Sequence, residues 1–208
     1  MLICFDYDGV IVDSINRLLR INHEAQQWLG CGRPPQKTDF ETIENLTFPV
    51  LAETLGIPQS RVSNFADKVF ELLEQDAEEI SLFSGIPQIL AELVVNHCLC
   101  IITANSQPVV ADTLQNSGIL PLISYIFDGR DQRSKAEKIQ AAILRFGFDP
   151  TQTVMVGDSR GDIREGHHAG VQTIAVTWGF QSREVLQLET PHYFADSPQK
   201  LLEIVERL

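Results

Sequence analysis

The sequence predicts an α/β fold: a doubly wound parallel sheet, with a block of helices inserted after the first strand. Three observations carry this expectation. Short apolar runs recur at residues 2–5, 98–103, 124–127, 153–157 and 173–177 and near Tyr193 and Phe194, and continuous apolar runs of that length suit strands covered on both faces. Helical spacing fills the gaps between them, and strands alternating with helices give a parallel sheet. From about Ile15 to Leu82 the alternation stops and only helical patterns remain.

The helices follow in order. Ser14 stands where it would cap a helix bearing Leu18, Leu19, Ala25 and Trp28, and Thr38-Asp39-Phe40-Glu41 has the form of a capping box. Thr47 precedes a helix with Leu51 and Leu55, and Ser60 one with Val62, Phe65, Ala66, Val69, Phe70 and Leu73. Beyond the insert, Ile86, Ile89, Leu90 and Leu93 recur at helical spacing, with Pro87 near the helix start. Val109, Val110 and Leu114 form the next stripe, which Gly118 ends, and residues 136–146 form another, closed by Gly147. Ser197-Pro198 opens a last helix with Leu201, Leu202 and Val205. The expected division is therefore an α/β core of residues 1–14 and 83–208 and a helical cap of residues 15–82.

Bulk properties narrow the function. The chain has 208 residues and a net charge of -12, which argues against a nucleic-acid partner, since that would want a basic face. No apolar run approaches the roughly 20 residues of a membrane span. The chain reads straight into its first strand, so no secretory signal and no membrane association are expected. Cys4, Cys31, Cys98 and Cys100 contain no Cys-x-x-Cys pair; they read as reduced, inert thiols of a cytoplasmic protein. One enclosed site in one chain of this size needs no partner, so a monomer or weak homo-oligomer is expected.

The informative residues fall at strand ends. The first strand runs into Asp6-Tyr7-Asp8-Gly9. Two carboxylates at the end of a buried strand repel each other and lose hydration unless a cation sits there. Gly9 turns the chain at once, so the two need not stay equivalent. The second strand ends at Thr103-Ala104-Asn105-Ser106, the fourth at Gly157-Asp158-Ser159-Arg160-Gly161-Asp162, and Lys135 stands at a helix start between them. In an open parallel sheet ligands bind beyond the carboxyl ends of the strands, so all of these residues gather on one edge. The set fits phosphoryl transfer, which needs charge neutralised, oxygens held and a nucleophile aligned. Asp6 and Asp158 are carboxylates of the kind Mg²⁺ takes. Thr103 offers a hydroxyl donor and Lys135 a positive charge, and a carboxylate can attack phosphorus to give an aspartyl-phosphate.

Together these residues resemble the haloacid dehalogenase superfamily in its phosphatase branch, with a small helical cap of the phosphoglycolate phosphatase and β-phosphoglucomutase type. Asp6 to Gly9 match its Asp-x-Asp-Gly motif, Thr103 its strand ending in Thr or Ser, Lys135 its helix-start Lys, and Gly157, Asp158 and Asp162 its Gly-Asp-x-x-x-Asp motif. Phe83-Ser84-Gly85-Ile86 looks like the return to the core, so the likeness covers nearly the whole chain. Val10 departs from the Thr of many relatives. The resemblance implies a Rossmann-like core and a Mg²⁺-dependent phosphatase acting on a small-molecule phosphate ester. It implies Asp6 as nucleophile, and Asp8 as general acid and then base. Metal contacts would come from Asp6, the Asp8 backbone, Asp158 and Asp162, and phosphate contacts from Thr103, Ala104, Asn105 and Lys135. In this family an Asp at the place of Asp8 separates phosphatases from true dehalogenases.

Competing readings attach to several residues. Lys138 rivals Lys135 from one turn later, but would lie within the helix. Asn105 either donates to the phosphate or shapes the turn, and Asp162 is also placed to start a helix. His167 and His168 are adjacent and do not share a helix face, so they do not read as a metal pair; His97 and His192 read as ordinary. Cys98 and Cys100 would share a strand face in the core. Thr177-Trp178-Gly179-Phe180 would close the floor of the site. Arg17, Arg20, His23, Arg33 and Lys37 are the polar residues of the insert that could meet a leaving group, against a default of solvated surface. A phosphomutase built from the same parts, and a binding module with a vestigial site, are the alternatives to a phosphatase.

Overall fold

The computed structural model describes residues 1–76 and 80–208. Strands β1 (Leu2–Phe5), β2 (Cys98–Ile102), β3 (Tyr125–Phe127), β4 (Thr153–Gly157), β5 (Gln172–Val176) and β6 (Tyr193–Ala195) form one sheet in the order β3-β2-β1-β4-β5-β6. Every neighbouring pair is parallel. The order runs outward in both directions from β1 and β4, which makes their junction the switch point where an open α/β sheet forms a crevice. The register pairs Phe5 with both Ile101 and Val156, so the chain segments after β1, β2 and β4 emerge level with one another.

The helices are α1 (Ile15–Leu29), α2 (Lys37–Thr42), α3 (Phe48–Thr54), α4 (Val62–Gln75), α5 (Ile86–Leu93), α6 (Gln107–Asn116), α7 (Lys135–Phe146), α8 (Arg160–His168), α9 (Arg183–Leu186) and α10 (Pro198–Val205). Side chains alternate faces along a strand, and the core divides accordingly. Ile3, Phe5, Leu99, Ile101, Val154 and Val156 pack with residues of α5, α6 and α10 such as Leu90, Leu114 and Leu201. Leu2, Cys4, Cys100, Ile102 and Met155 pack on the opposite face with Ile139, Ala142 and Ile143 of α7. Both faces are thus covered, which is why these strands carry no polar alternation. The four cysteines are free thiols, and burial pushes the Cys4 and Cys100 thiols above their ordinary range. No helix among the described residues is long and apolar enough to cross a membrane.

The chain leaves the sheet and returns side by side. Val12 forms an antiparallel bridge with Leu82, Asp13 N–H donates to Ser81 O at 3.0 Å, and Phe83 N–H donates to Ile11 O at 3.0 Å. Helices α1 to α4 lie between these points and share an apolar cluster that includes Leu18, Ile21, Ala25, Phe40, Leu51, Phe65, Val69 and Leu73. Three local expectations shift. α2 starts one residue before Thr38, and the Gln36 N–H donates to Asp39 Oδ2 at 2.8 Å, so Asp39, not Glu41, closes the helix start. Trp28 is 57% exposed and sits under the Lys68 ammonium at 5.3 Å, outside the stripe it was expected to extend. Ser14 precedes α1 but makes no side-chain cap; its hydroxyl is used elsewhere.

Phe65 is fully buried in the cluster of α1 to α4. Its truncation to Ala is expected to cost about 3–5 kcal/mol, read as a lower urea midpoint for unfolding.

Candidate active site

Asp6 continues the line of β1, its N–H donating to Val156 O of β4 at 2.9 Å. The carboxylate then accepts the Tyr7 N–H on Oδ1 at 2.8 Å. The chain turns at Gly9, where φ is +81°. A Cβ there would collide with the Asp158 carboxylate, so this position needs both the left-handed backbone and the missing side chain. The turn sends Asp8 into a different setting from Asp6. Asp8 accepts the Ser14 hydroxyl on Oδ1 at 2.6 Å and the Asn105 amide on Oδ2 at 3.3 Å.

The other residues arrive from β2, α7 and β4. Thr103 is buried, and its Oγ1 accepts the Asn105 N–H at 2.9 Å, which leaves its O–H to donate. α7 begins at Lys135, behind the Ser134 cap. The Lys135 ammonium lies 2.9 Å from Asp6 Oδ2 and also pairs with Asp162 Oδ1. Asp162 sits in the first turn of α8, fully buried, with Oδ2 accepting the Ser159 N–H at 3.1 Å and hydroxyl at 2.6 Å. Asp158 accepts the Phe180 N–H on Oδ2 at 2.7 Å. Asp6, Asp158 and Asp162 each present an oxygen within 4.8 Å of the others, an all-oxygen donor set suited to a hard divalent cation. Asp162 already spends both oxygens on Ser159 and Lys135, so Asp6 and Asp158 are the better placed to ligate directly.

Burial dominates the electrostatics. It pushes the Asp6 carboxyl up to about 7, against the pull of Lys135 and with the push of Asp162. It raises Asp158 well above the carboxylate range, and Asp162 and Asp6 add to that shift. Asp8 is raised by burial as well, with the Ser14 and Asn105 hydrogen bonds pulling it back. Burial alone would lower Lys135, but the Asp162 and Asp6 charges outweigh it and hold the ammonium protonated. The site thus gathers more negative charge than it neutralises.

These residues surround a void of about 30 Å³, room for about two waters. Asp6, Asp8, Thr103, Ala104, Lys135 and Asp158 line it from the sheet edge; Leu18, Phe40, Leu51 and the segment from Asn45 to Phe48 close it from the insert. Ion pairs bind the insert to the sheet edge on two sides. Glu44 takes Arg160 at 2.8 Å and Arg164 at 3.0 Å, and Glu74 takes Arg130 at 2.7 Å. The Gln181 amide donates to Ile43 O at 2.7 Å. Gly161 has no room for a Cβ, because the Glu44 carbonyl lies against it.

All eight candidate residues read from the sequence therefore meet at one edge. Lys138 does not; its ammonium donates to Asp128 O at 2.8 Å. Asn105 holds Asp8 and its own turn, with Oδ1 accepting the Ser106 N–H at 2.8 Å, so its side chain has another use than phosphate. Of the Thr177-Phe180 segment, the backbone of Phe180 does the work at Asp158, while the Trp178 indole donates to Val10 O at 3.2 Å. Arg17 and Arg20 pair with Asp76, Arg33 with Asp39 and Lys37 with Glu41, and His23 lies against Gln27; none lines the void. His167 lies beside Thr173 at 3.3 Å and His192 bonds the same hydroxyl. The sequence places Ser14 only as a helix cap, and singles out neither Ser159 nor Asn45 for the site. Ser14 and Ser159 had a signal, each being a hydroxyl next to a helix start and near an acid; Asn45 had none.

A parallel sheet in this strand order, with acids massed at its switch point and a helical block over them, is a Rossmann-like α/β architecture. A family model described as haloacid dehalogenase-like hydrolase matches residues 3–176, and the chain belongs to that family. It is 27% identical to a Synechococcus elongatus protein named phosphoglycolate phosphatase, over 99% of this chain and 97% of that one. It is 24% identical to a Bacillus pumilus protein named pyrophosphatase PpaX, over 98% of this chain and 95% of that one. In fold it resembles a predicted phosphatase from Clostridium acetobutylicum with a TM-score of 0.88 at 17% identity, over 100% of this chain and 98% of that one.

The raised carboxyl has a consequence for stability. Folded Asp6 holds its proton to about pH 7 and the unfolded group only to about 3.8, so folding takes up a proton between those values. Stability from this group is full below the unfolded value and lost as pH rises through 7. In chelator, Asp6→Asn is expected to melt above the parent by roughly 5 °C at pH 8 and to match it near pH 4. The comparison is made by calorimetry across that range.

Proposed function

We propose that the protein is a Mg²⁺-dependent phosphatase that hydrolyses a small phosphomonoester through an aspartyl-phosphate. The observation that carries this reading is the divergence of two aspartates two residues apart. Asp6 lies against Lys135 and the other acids, whereas Asp8 is held by Ser14 and Asn105. Two carboxyl groups in unlike settings are what separate nucleophile from acid.

Asp6 attacks phosphorus, and the ester bond breaks. Asp8, whose burial favours its protonated form, gives its proton to the departing alcohol oxygen, and as carboxylate then draws a proton from the water that attacks the aspartyl-phosphate. That second displacement frees inorganic phosphate and restores both groups. Lys135 and the Thr103 hydroxyl face the phosphoryl oxygens, where fixed donors count most. Mg²⁺, held by Asp6, Asp158 and the Asp8 backbone with Asp162 behind them, would neutralise phosphate charge and the excess of carboxylate.

Residues 15–82 act in this reading as a cap on a core of residues 1–14 and 83–208. The void of about 30 Å³ is too small for a whole ester, so substrate enters when the cap lifts, and closure excludes bulk water. Relatives named phosphoglycolate phosphatase support the phosphatase class over the mutase. The acidic surface and free thiols accord with a cytoplasmic enzyme of small molecules, working as a monomer or weak homo-oligomer.

Asp6→Asn is expected to lower kcat for an aryl phosphate with Mg²⁺ by roughly 10⁴-fold or more; activity near that of the parent would remove Asp6 from its role. Glu44→Ala loosens one side of the closed seam and is expected to raise KM about two- to fivefold, the worth of a partly exposed ion pair, with a smaller change in kcat. Steady-state kinetics on both variants separates the two effects.

A further inference from the structure

The insert meets the core at the first turn of α8, and this inference about that contact rests on the phosphatase reading above. The backbone of the insert lies directly on the turn: a Cβ at Gly161 would stand 2.7 Å from Glu44 O and 3.1 Å from Asn45 Cα. Gln181 is 1% exposed. Its Oε1 accepts the Arg160 N–H at 2.7 Å, and its Nε2 donates to Ile43 O at 2.7 Å. The two partners fix which end of the amide faces which, because one can only donate and the other only accept.

Both partners are helix-end groups. Arg160 opens α8 of the core, and Ile43 is the residue that ends α2 of the insert. The first N–H groups and the last C=O groups of a helix need partners from outside it. Gln181 serves one of each, across the seam, with a single side chain. The ion pairs nearby are of another kind. Glu44 is exposed, and Arg160 and Arg164 each hold Glu189 as well. Exposed pairs tolerate a range of geometries and contribute little, whereas a buried amide between two backbone groups sets both distance and direction. Its loss also falls on one state. With the insert seated, Ile43 O would be buried without a donor; with the insert lifted, water would reach it.

Gln181 does not line the void, but residues 45–48, which follow its contact at Ile43 closely, do. We propose that Gln181 is a positioning residue of the reaction. Its amide sets the register in which the seated insert holds residues 45–48 over Asp6 and the phosphoryl group, and Gly161 keeps the landing surface clear for the Glu44 carbonyl.

Two variants test this by independent routes. Gln181→Glu keeps the shape and the Arg160 bond but turns a carboxylate oxygen toward Ile43 O. Gly161→Ala sets a methyl group against Glu44 O, while Ala suits a helix better than Gly, so α8 itself is not weakened. Hydrogen exchange, read by mass spectrometry on the ligand-free proteins, is expected to be about tenfold or more faster across residues 37–48 in both variants, with β4 and α7 at the parent's rate. With p-nitrophenyl phosphate and Mg²⁺, kcat/KM is expected to fall by a similar factor. Exchange unchanged across residues 37–48, or speeded equally in β4 and α7, would overturn the inference. Faster exchange with kcat/KM unmoved would overturn it too, leaving Gln181 a purely structural contact. A parent that releases no phosphate would remove the phosphatase reading and the positioning role with it, and the exchange rates would still report whether Gln181 seats the insert.

Discussion

The structure is organised around a deficit of positive charge. Asp6, Asp8, Asp158 and Asp162 converge at the junction of β1 and β4, and among the described residues Lys135 is the one cation lining the void they surround. Such a cluster is unfavourable in a dry site unless hydrogen bonds and counter-charge are supplied. The surrounding chain supplies them locally: backbone N–H groups of Tyr7, Ser159 and Phe180, and hydroxyls of Ser14 and Ser159. What they leave uncompensated is what a divalent cation and a bound phosphate would complete. Fold stability and ligand affinity are thereby tied to the same few groups, since anything that binds the folded site alone also stabilises it.

The same constraint explains how much of the site was legible in the sequence. Each strand ends at the sheet edge, and a polar residue following a buried apolar run has few other places to go. Asp6, Thr103 and Asp158 were therefore readable from local pattern, and Lys135 from its place ahead of an amphipathic helix. Lys138 failed for a physical reason: one turn further along α7, its ammonium reaches the Asp128 carbonyl instead of the void. Ser14 and Asn105 were harder, because their part depends on where Asp8 points after the Gly9 turn, and no spacing encodes that. Asn105 could be read as a phosphate donor or a turn residue; bonding Asp8 is a third use that only the folded loop reveals.

The insert was legible as helices and less so in detail. Its apolar stripes are strong because α1, α3 and α4 must bury one face against each other, as Leu18, Leu51 and Phe65 do. Caps and surface residues are weaker signals. Arg33 takes Asp39 in two hydrogen bonds of 2.8 and 2.6 Å and draws that acid into the start of α2, away from the register that Thr38 and Glu41 suggested. The arginines that looked available for a leaving group are bound to acids of the insert itself, Arg17 to Asp76 at 2.6 Å. Arg17 and Arg20 lie 59 and 56 residues from Asp76, a separation that gives no hint of the pairs.

The arginines at the seam between insert and sheet edge have a second acid on the core side. Arg160 and Arg164 share the insert's Glu44, yet both also hold Glu189 of the core at 2.6 Å. Lifting the insert would expose Glu44 to water, where a lone carboxylate is well solvated, and would leave the two arginines paired. Glu189 is held below its ordinary range by Arg164 and, after the cost of burial, by Arg160, so the core partner stays ionised throughout. Apolar contacts also cross the seam: Phe40 meets Phe180 edge-on at 6.3 Å, and Val109 of α6 is buried within the insert's cluster. The exposed ion pairs of this boundary contribute about 0.2–1 kcal/mol each. The carboxylates beneath it have no such reserve, because burial is what sets their protonation. Burial raises the Asp8 carboxyl above its ordinary range, so in the proposed reaction closure of the insert would keep a proton at Asp8 to give.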